Sequence, residues 1–177
     1  MATITRIFEF DAAHRVMNEK VKCFNLHGHR FKVELTFEFM ETGSLGYAID
    51  FKEIKRIAGT WLDEKFDHAG IFNPKDTALI QMCRSNGWRH YVMGLGFDFD
   101  VNPSAENLAS EIFYCLDVIF SVLFSGLYLK NVRLYETPNC WVDADSSDYS
   151  ATDKVYSEIT DWANKVGVVN YDVREDA

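Results

Sequence analysis

Residues 30–39, RFKVELTFEF, alternate apolar and polar without a break, so Phe31, Val33, Leu35, Phe37 and Phe39 share one face of a predicted half-buried strand. Residues 4–14 continue the same period and put Phe8, Phe10, Ala12 and His14 on one face. The two segments are predicted to pair as antiparallel neighbours. Between them residues 15–26 are mostly polar and too many for a tight turn, which marks a candidate functional loop. Phe51, Ile54, Ile57, Ala58, Trp61 and Leu62 then recur at helical spacing behind Asp50, with Glu53 placed as in a capping box, predicting a helix over 51–65. In residues 69–102 Asn73-Pro74, Gly87, Gly94 and Gly96 break any pattern, and only the segment from His90 reads as a short strand. Pro103-Ser104 leads into a second helix over 105–124, and residues 129–136 return to a strand ending at Glu136. After Asp143 a Ser/Asp-rich stretch precedes an amphipathic segment around 155–166, read as a surface helix. The order predicts an α+β fold, an antiparallel sheet with two helices on one face.

Composition narrows the class. A chain of 177 residues, 47% hydrophobic and 15% aromatic, suits one compact domain. Its net charge of -9, with no basic patch, argues against nucleic acid. Residues 112–129 are apolar nearly all round, yet Asp117 and Ser125-Gly126 argue against a membrane span; the expectation is a helix sandwiched between the sheet and another helix, near a subunit interface. The four cysteines (Cys23, Cys83, Cys115, Cys140) form no CxxC pair and are expected to be free thiols. With no basic leader before an apolar run, the expected location is the cytoplasm.

His27-Gly28-His29 puts two imidazoles at i and i+2, on the apolar side of the strand if the alternation runs back from Phe31. His14 falls on the apolar face of the neighbouring strand by the same count. Three converging neutral nitrogens suit zinc with a fourth position open to water or substrate. An HxH pair alone is weak in a chain with five histidines, and a single buried histidine is more often a hydrogen-bonded core residue. The joint placement carries the argument. The metallo-hydrolase pattern HxHxDH is absent, because Phe31 and Lys32 occupy its last two positions.

FDAAHR at 10–15, CFNLHGH at 23–29, AIDFKEIK at 48–55, FDH at 66–68, PSAENLA at 103–109 and YETP at 135–138 occur in order. Together they resemble the 6-pyruvoyl-tetrahydropterin synthase and 6-carboxy-tetrahydropterin synthase family. The resemblance implies a T-fold domain over 1–143, with 144–177 a C-terminal extension of unknown role. It also implies subunits joining sheets into a barrel, commonly a hexamer with sites between subunits, and 7,8-dihydroneopterin triphosphate as substrate. By motif, His14, His27 and His29 become zinc ligands, Cys23 the general base, Asp67 and His68 a second proton-transfer pair, and Glu136 the pterin anchor.

Each implied role has a chemical reason. A thiol beside a dication is favoured as the thiolate that a base requires. A histidine oriented by an aspartate relays protons near neutral pH. A carboxylate can accept two hydrogen bonds from the amino and ring N–H groups of a pterin. The spacing Cys23-x-x-x-His27 resembles the 6-carboxy branch, whose product forms with loss of triphosphate and acetaldehyde on the route to 7-deazaguanine (queuosine) precursors. The alternatives are the 6-pyruvoyl product, by triphosphate elimination, and a zinc- and pterin-binding protein without turnover. Residues 74–102 and the tail after 143 depart from the family pattern.

Overall fold

The computed structural model describes residues 2–94, 100–147 and 153–167. Strand β1 (Ala2–His14) pairs antiparallel with β2 (His27–Phe39) along its whole length, and the register sets His14 opposite His27 and Ala12 opposite His29. Strand β5 (Leu127–Thr137) continues the sheet beside β2, and β6 (Cys140–Ala144) closes it. On the other side β3 (Ala69–Phe72) runs parallel to β1 over residues 12–14 only, and β4 (His90–Val92) runs parallel to β3. The order is β4-β3-β1-β2-β5-β6. The all-antiparallel expectation is therefore corrected to a mixed sheet. The parallel pair β3–β4 is joined by a helix, the crossover that parallel pairing requires.

Among the described residues there are four helices, α1 (Phe51–Lys65), α2 (Thr77–Asn86), α3 (Ala105–Leu123) and α4 (Asp153–Val166); α1, α3 and the surface helix α4 fall where the sequence predicts them, and α2 is additional. Asp50 caps α1 by accepting from the Lys52 N–H, but the capping box is not completed. Glu53 turns instead to Arg56, whose guanidinium also donates to the carbonyls of Val166 and Gly167 and so ties the end of α4 to α1. Ser104 caps α3 as its position predicts.

Phe10, Phe31, Val33, Leu35 and Phe37 turn their alternating face to the helices and are buried. Phe10 stacks on both Phe31 and Phe66, and Phe37 meets Phe120 of α3. Each fully buried Phe contributes roughly 1.5–3 kcal/mol by transfer from water. Helix α3 packs on β5 and β6 with one side and on α4 with another. Ile159 and Ala163 of α4 enter the same core, and Trp162 donates to Glu64. The apolar helix is thus sandwiched, as expected, and among the described residues no helix is long and apolar enough to cross a membrane.

Candidate active site

Strand alternation delivers the three histidines. His14 is the last residue of β1, and His27 and His29 open β2, all on the core side, where Phe31 packs edge-on against the rings of His14 and His29. Ligand nitrogens of His14, His27 and His29 lie within 4.8 Å of one another. Gly28 separates the two β2 histidines on the opposite face, where an added Cβ would meet the Ala12 carbonyl oxygen at 3.0 Å.

Hydrogen bonds fix the tautomers. A carbonyl can only accept, so His14 donates from Nδ1 to the Pro103 oxygen at 2.7 Å, and His27 donates from Nδ1 to the Asn25 oxygen at 2.8 Å. In each ring the lone pair is left on Nε2, the arrangement that outer partners impose on metal-bound histidines. His14 Nε2 and His29 Nε2 are buried without a hydrogen-bond partner. Buried nitrogens left unpaired cost stability, and a metal ion would satisfy both. Burial also holds His14 below its ordinary value of 6.5, against the pull of the Pro103 bond, and so favours the neutral form a ligand needs.

Glu136, on β5, places Oε1 3.4 Å from His14 Nε2 and 3.8 Å from His29 Nε2. A lone pair facing a carboxylate oxygen calls for a positive charge between them. The donor set and the orphaned nitrogens therefore fit a divalent ion.

Cys23 lies in a 3-10 turn (Lys22–Phe24) of the loop between β1 and β2, and its thiol is exposed. Its carbonyl accepts from the Val16 N–H at 2.8 Å. The four thiols are free, Cys83 and Cys115 being buried.

Asp67 and His68 form the turn before β3. Asp67 accepts from the Asp11 N–H and from His68 Nδ1, and the His68 N–H donates to the Asp11 carbonyl. His68 has a backbone φ of 55°, a left-handed conformation uncommon for a non-glycine residue, which these bonds hold. Burial works against ionisation of Asp67, but the Asp11 N–H and the His68 ring outweigh it and keep the carboxyl below its ordinary 3.8.

This pair does not join the histidine cluster within one chain. His68 lines a cavity of about 690 Å³ with Asp11, Arg30, Trp88 and Arg89, on the sheet face opposite the histidine cluster, of which His29 alone also lines it. The expected site residues thus divide: His14, His27, His29 and Glu136 come together, whereas Asp67 and His68 face the other way.

Sequence reasoning missed the carbonyls of Pro103 and Asn25 because a backbone acceptor has no side-chain signature. It also missed Arg15, which binds the buried Asp76 at the start of α2 through both carboxylate oxygens. The signal available was a buried-type carboxylate at a helix N-cap position, and it carries no mark of its partner.

Residues 3–147 match the family model described as 6-pyruvoyl tetrahydropterin synthase. The chain is similar to the 6-carboxy-5,6,7,8-tetrahydropterin synthase of Rickettsia felis, with 40% identity over 146 residues that cover 81% of this chain and 99% of the relative. It is 30% identical to the protein of the same name from Helicobacter pylori strain J99, over 82% of this chain and 73% of that one. Among solved structures it resembles the Caenorhabditis elegans 6-pyruvoyl tetrahydropterin synthase at a TM-score of 0.57 and 23% identity, covering 82% of this chain and 95% of the other. An uncharacterized protein from Wolinella succinogenes gives a TM-score of 0.64 at 22% identity, covering 82% and 98%. At such identities these two structures show the shared fold alone.

Proposed function

The chain belongs to the 6-pyruvoyl tetrahydropterin synthase family, and from that premise we propose that it is a zinc-dependent 6-carboxy-5,6,7,8-tetrahydropterin synthase acting on 7,8-dihydroneopterin triphosphate. The observation that carries the reading is the cluster of His14, His27 and His29, with two buried Nε2 atoms lacking partners. These three residues would hold the zinc. When bound, the ion supplies a charge that polarises the substrate's side-chain hydroxyls and makes the neighbouring C–H protons more acidic.

The chain's own residues do the rest. Cys23, exposed on its turn, takes up a proton as thiolate. His68, held at Nδ1 by Asp67, moves a second proton through Nε2. Glu136 anchors the pterin by accepting from its amino and ring N–H groups. Because Asp67 and His68 face away from the metal ligands of their own chain, they serve the site of a neighbouring chain, which makes the enzyme a homo-oligomer, most simply a hexamer. Two features support assembly: among the described residues no strand pairs with the second edge of β1 over residues 2–10, and β6 ends the sheet on the other side.

The spacing from Cys23 to His27 and the names of the relatives both favour the 6-carboxy product over the 6-pyruvoyl one. Incubating the purified protein with 7,8-dihydroneopterin triphosphate and weighing the product decides it. The expected result is 6-carboxytetrahydropterin with acetaldehyde and triphosphate. Release of triphosphate alone, with a 6-pyruvoyl product, would move the protein to the other branch, and no turnover would leave a binding protein.

A further inference from the structure

Asn102 holds two parts of the site from one position. Its side-chain amide exchanges a pair of hydrogen bonds with the main chain of Met17: the Met17 N–H donates to Oδ1 at 3.0 Å, and Nδ2 donates to the Met17 carbonyl at 3.1 Å. Met17 lies three residues after His14, at the root of the loop that carries Cys23. Oδ1 also accepts from Asn73, and the Asn102 carbonyl accepts from Asn107 in the first turn of α3. The next residue, Pro103, has a φ fixed by its ring, and its carbonyl receives the His14 Nδ1–H.

The loop is tied down again farther along. Arg15 grips Asp76 and lies over the ring of Phe24, 5.2 Å from its centroid, next to Cys23. The Val16 N–H closes onto the Cys23 carbonyl. A displacement of Met17 therefore reaches Cys23 through Val16, while a displacement of residues 102–103 reaches His14. Only a carboxamide satisfies all of these partners. Aspartate keeps the acceptor and loses the donor, and alanine loses both.

We propose that Asn102 is a positioning residue that couples the Cys23 loop to the metal ligand His14, an inference that rests on the zinc and Cys23 roles given above. It also assigns work to Asn102, the last residue of the segment 74–102 that departs from the family pattern. The test uses the full-length protein and two readouts other than turnover: zinc affinity by competition with a chelator, and iodoacetamide alkylation of each cysteine in metal-free protein, read by peptide mass. Zinc binding by the wild type is measured first, so a failure of the metal reading shows before any variant is made.

In Asn102→Ala, zinc affinity should fall by up to about tenfold, the low end of the cost of losing an outer partner, because the Pro103 carbonyl that holds His14 stays but loses its support. Cys23 should alkylate several-fold faster while the buried Cys83 and Cys115 keep their wild-type rates. If that variant does not fold, Asn102→Asp should show both changes in the same direction and to a smaller extent. Three results overturn the proposal: both readouts unchanged in a folded variant, a change in only one of them, or equal acceleration of all three cysteines, which would mean general loosening of the fold.

Discussion

His14 and Pro103 are joined by a 2.7 Å hydrogen bond across 89 positions of sequence, so the end of the first strand and the start of α3 set the orientation of one imidazole together. The same bond leaves His14 Nε2 bare. Metal content follows from it: purified protein is expected to hold about one zinc per chain, and His27→Ala or His14→Ala to lose it. Elemental analysis after purification without chelator checks this, and equal zinc in wild type and His27→Ala would sink the ligand assignment.

Cys23→Ala is expected to keep zinc and melting temperature and to lose about 10²- to 10⁴-fold in turnover, because an exposed side chain on a turn is removed together with its proton-transfer role. Initial rates at saturating substrate, beside a metal assay, separate the two. Turnover near the wild-type value would return Cys23 to a structural role.

Glu136→Gln puts an N–H donor where the pterin's donors point, a mismatch of about 1–3 kcal/mol, or roughly fivefold to 150-fold in pterin affinity. Fluorescence titration with a non-reactive pterin reads it directly. An unchanged affinity would move the anchor to another residue.

The metal-free protein should gain stability with rising pH in the window below 6.5. Burial holds His14 beneath that ordinary value in the fold, so the unfolded chain binds more protons there, and His14's contribution is fully present above 6.5 and lost as pH falls through the lowered value. Urea midpoints at about pH 5 and about pH 7 should differ more for wild type than for His14→Gln. Equal differences would show that His14 is not the group responsible.

Light scattering tests the shared site. A homo-oligomer is expected, and a monodisperse single-chain species with full turnover would refute both the assembly and the placement of His68 in a neighbour's site.

The long elements were legible because each has one wet and one dry side: Phe31 to Phe37 alternate cleanly, and Ile54, Ile57, Trp61 and Leu62 mark the buried stripe of α1. Strand β3 was not, since Ala69–Phe72 is four residues long, contains Gly70 and is buried nearly throughout, which erases the alternation. Helix α2 buries only Ile80 and Cys83, too few to show a period. In the site the histidine cluster followed from counting along two strands. The separation of His68 from it did not, because that depends on β3 joining the β1 edge and turning Asp67–His68 onto the opposite face.

Strand β1 bonds to β2 over thirteen residues, but among the described residues its other edge meets only β3, at residues 12–14, and the Asp67–His68 turn, at Asp11. From Ala2 to Phe10 a row of peptide groups faces outward, a template for any extended chain that comes near. A ring of subunits would use up that template. Substitutions that weaken assembly should then show themselves first as turbidity and loss of recoverable protein, well before a well-behaved single chain can be isolated.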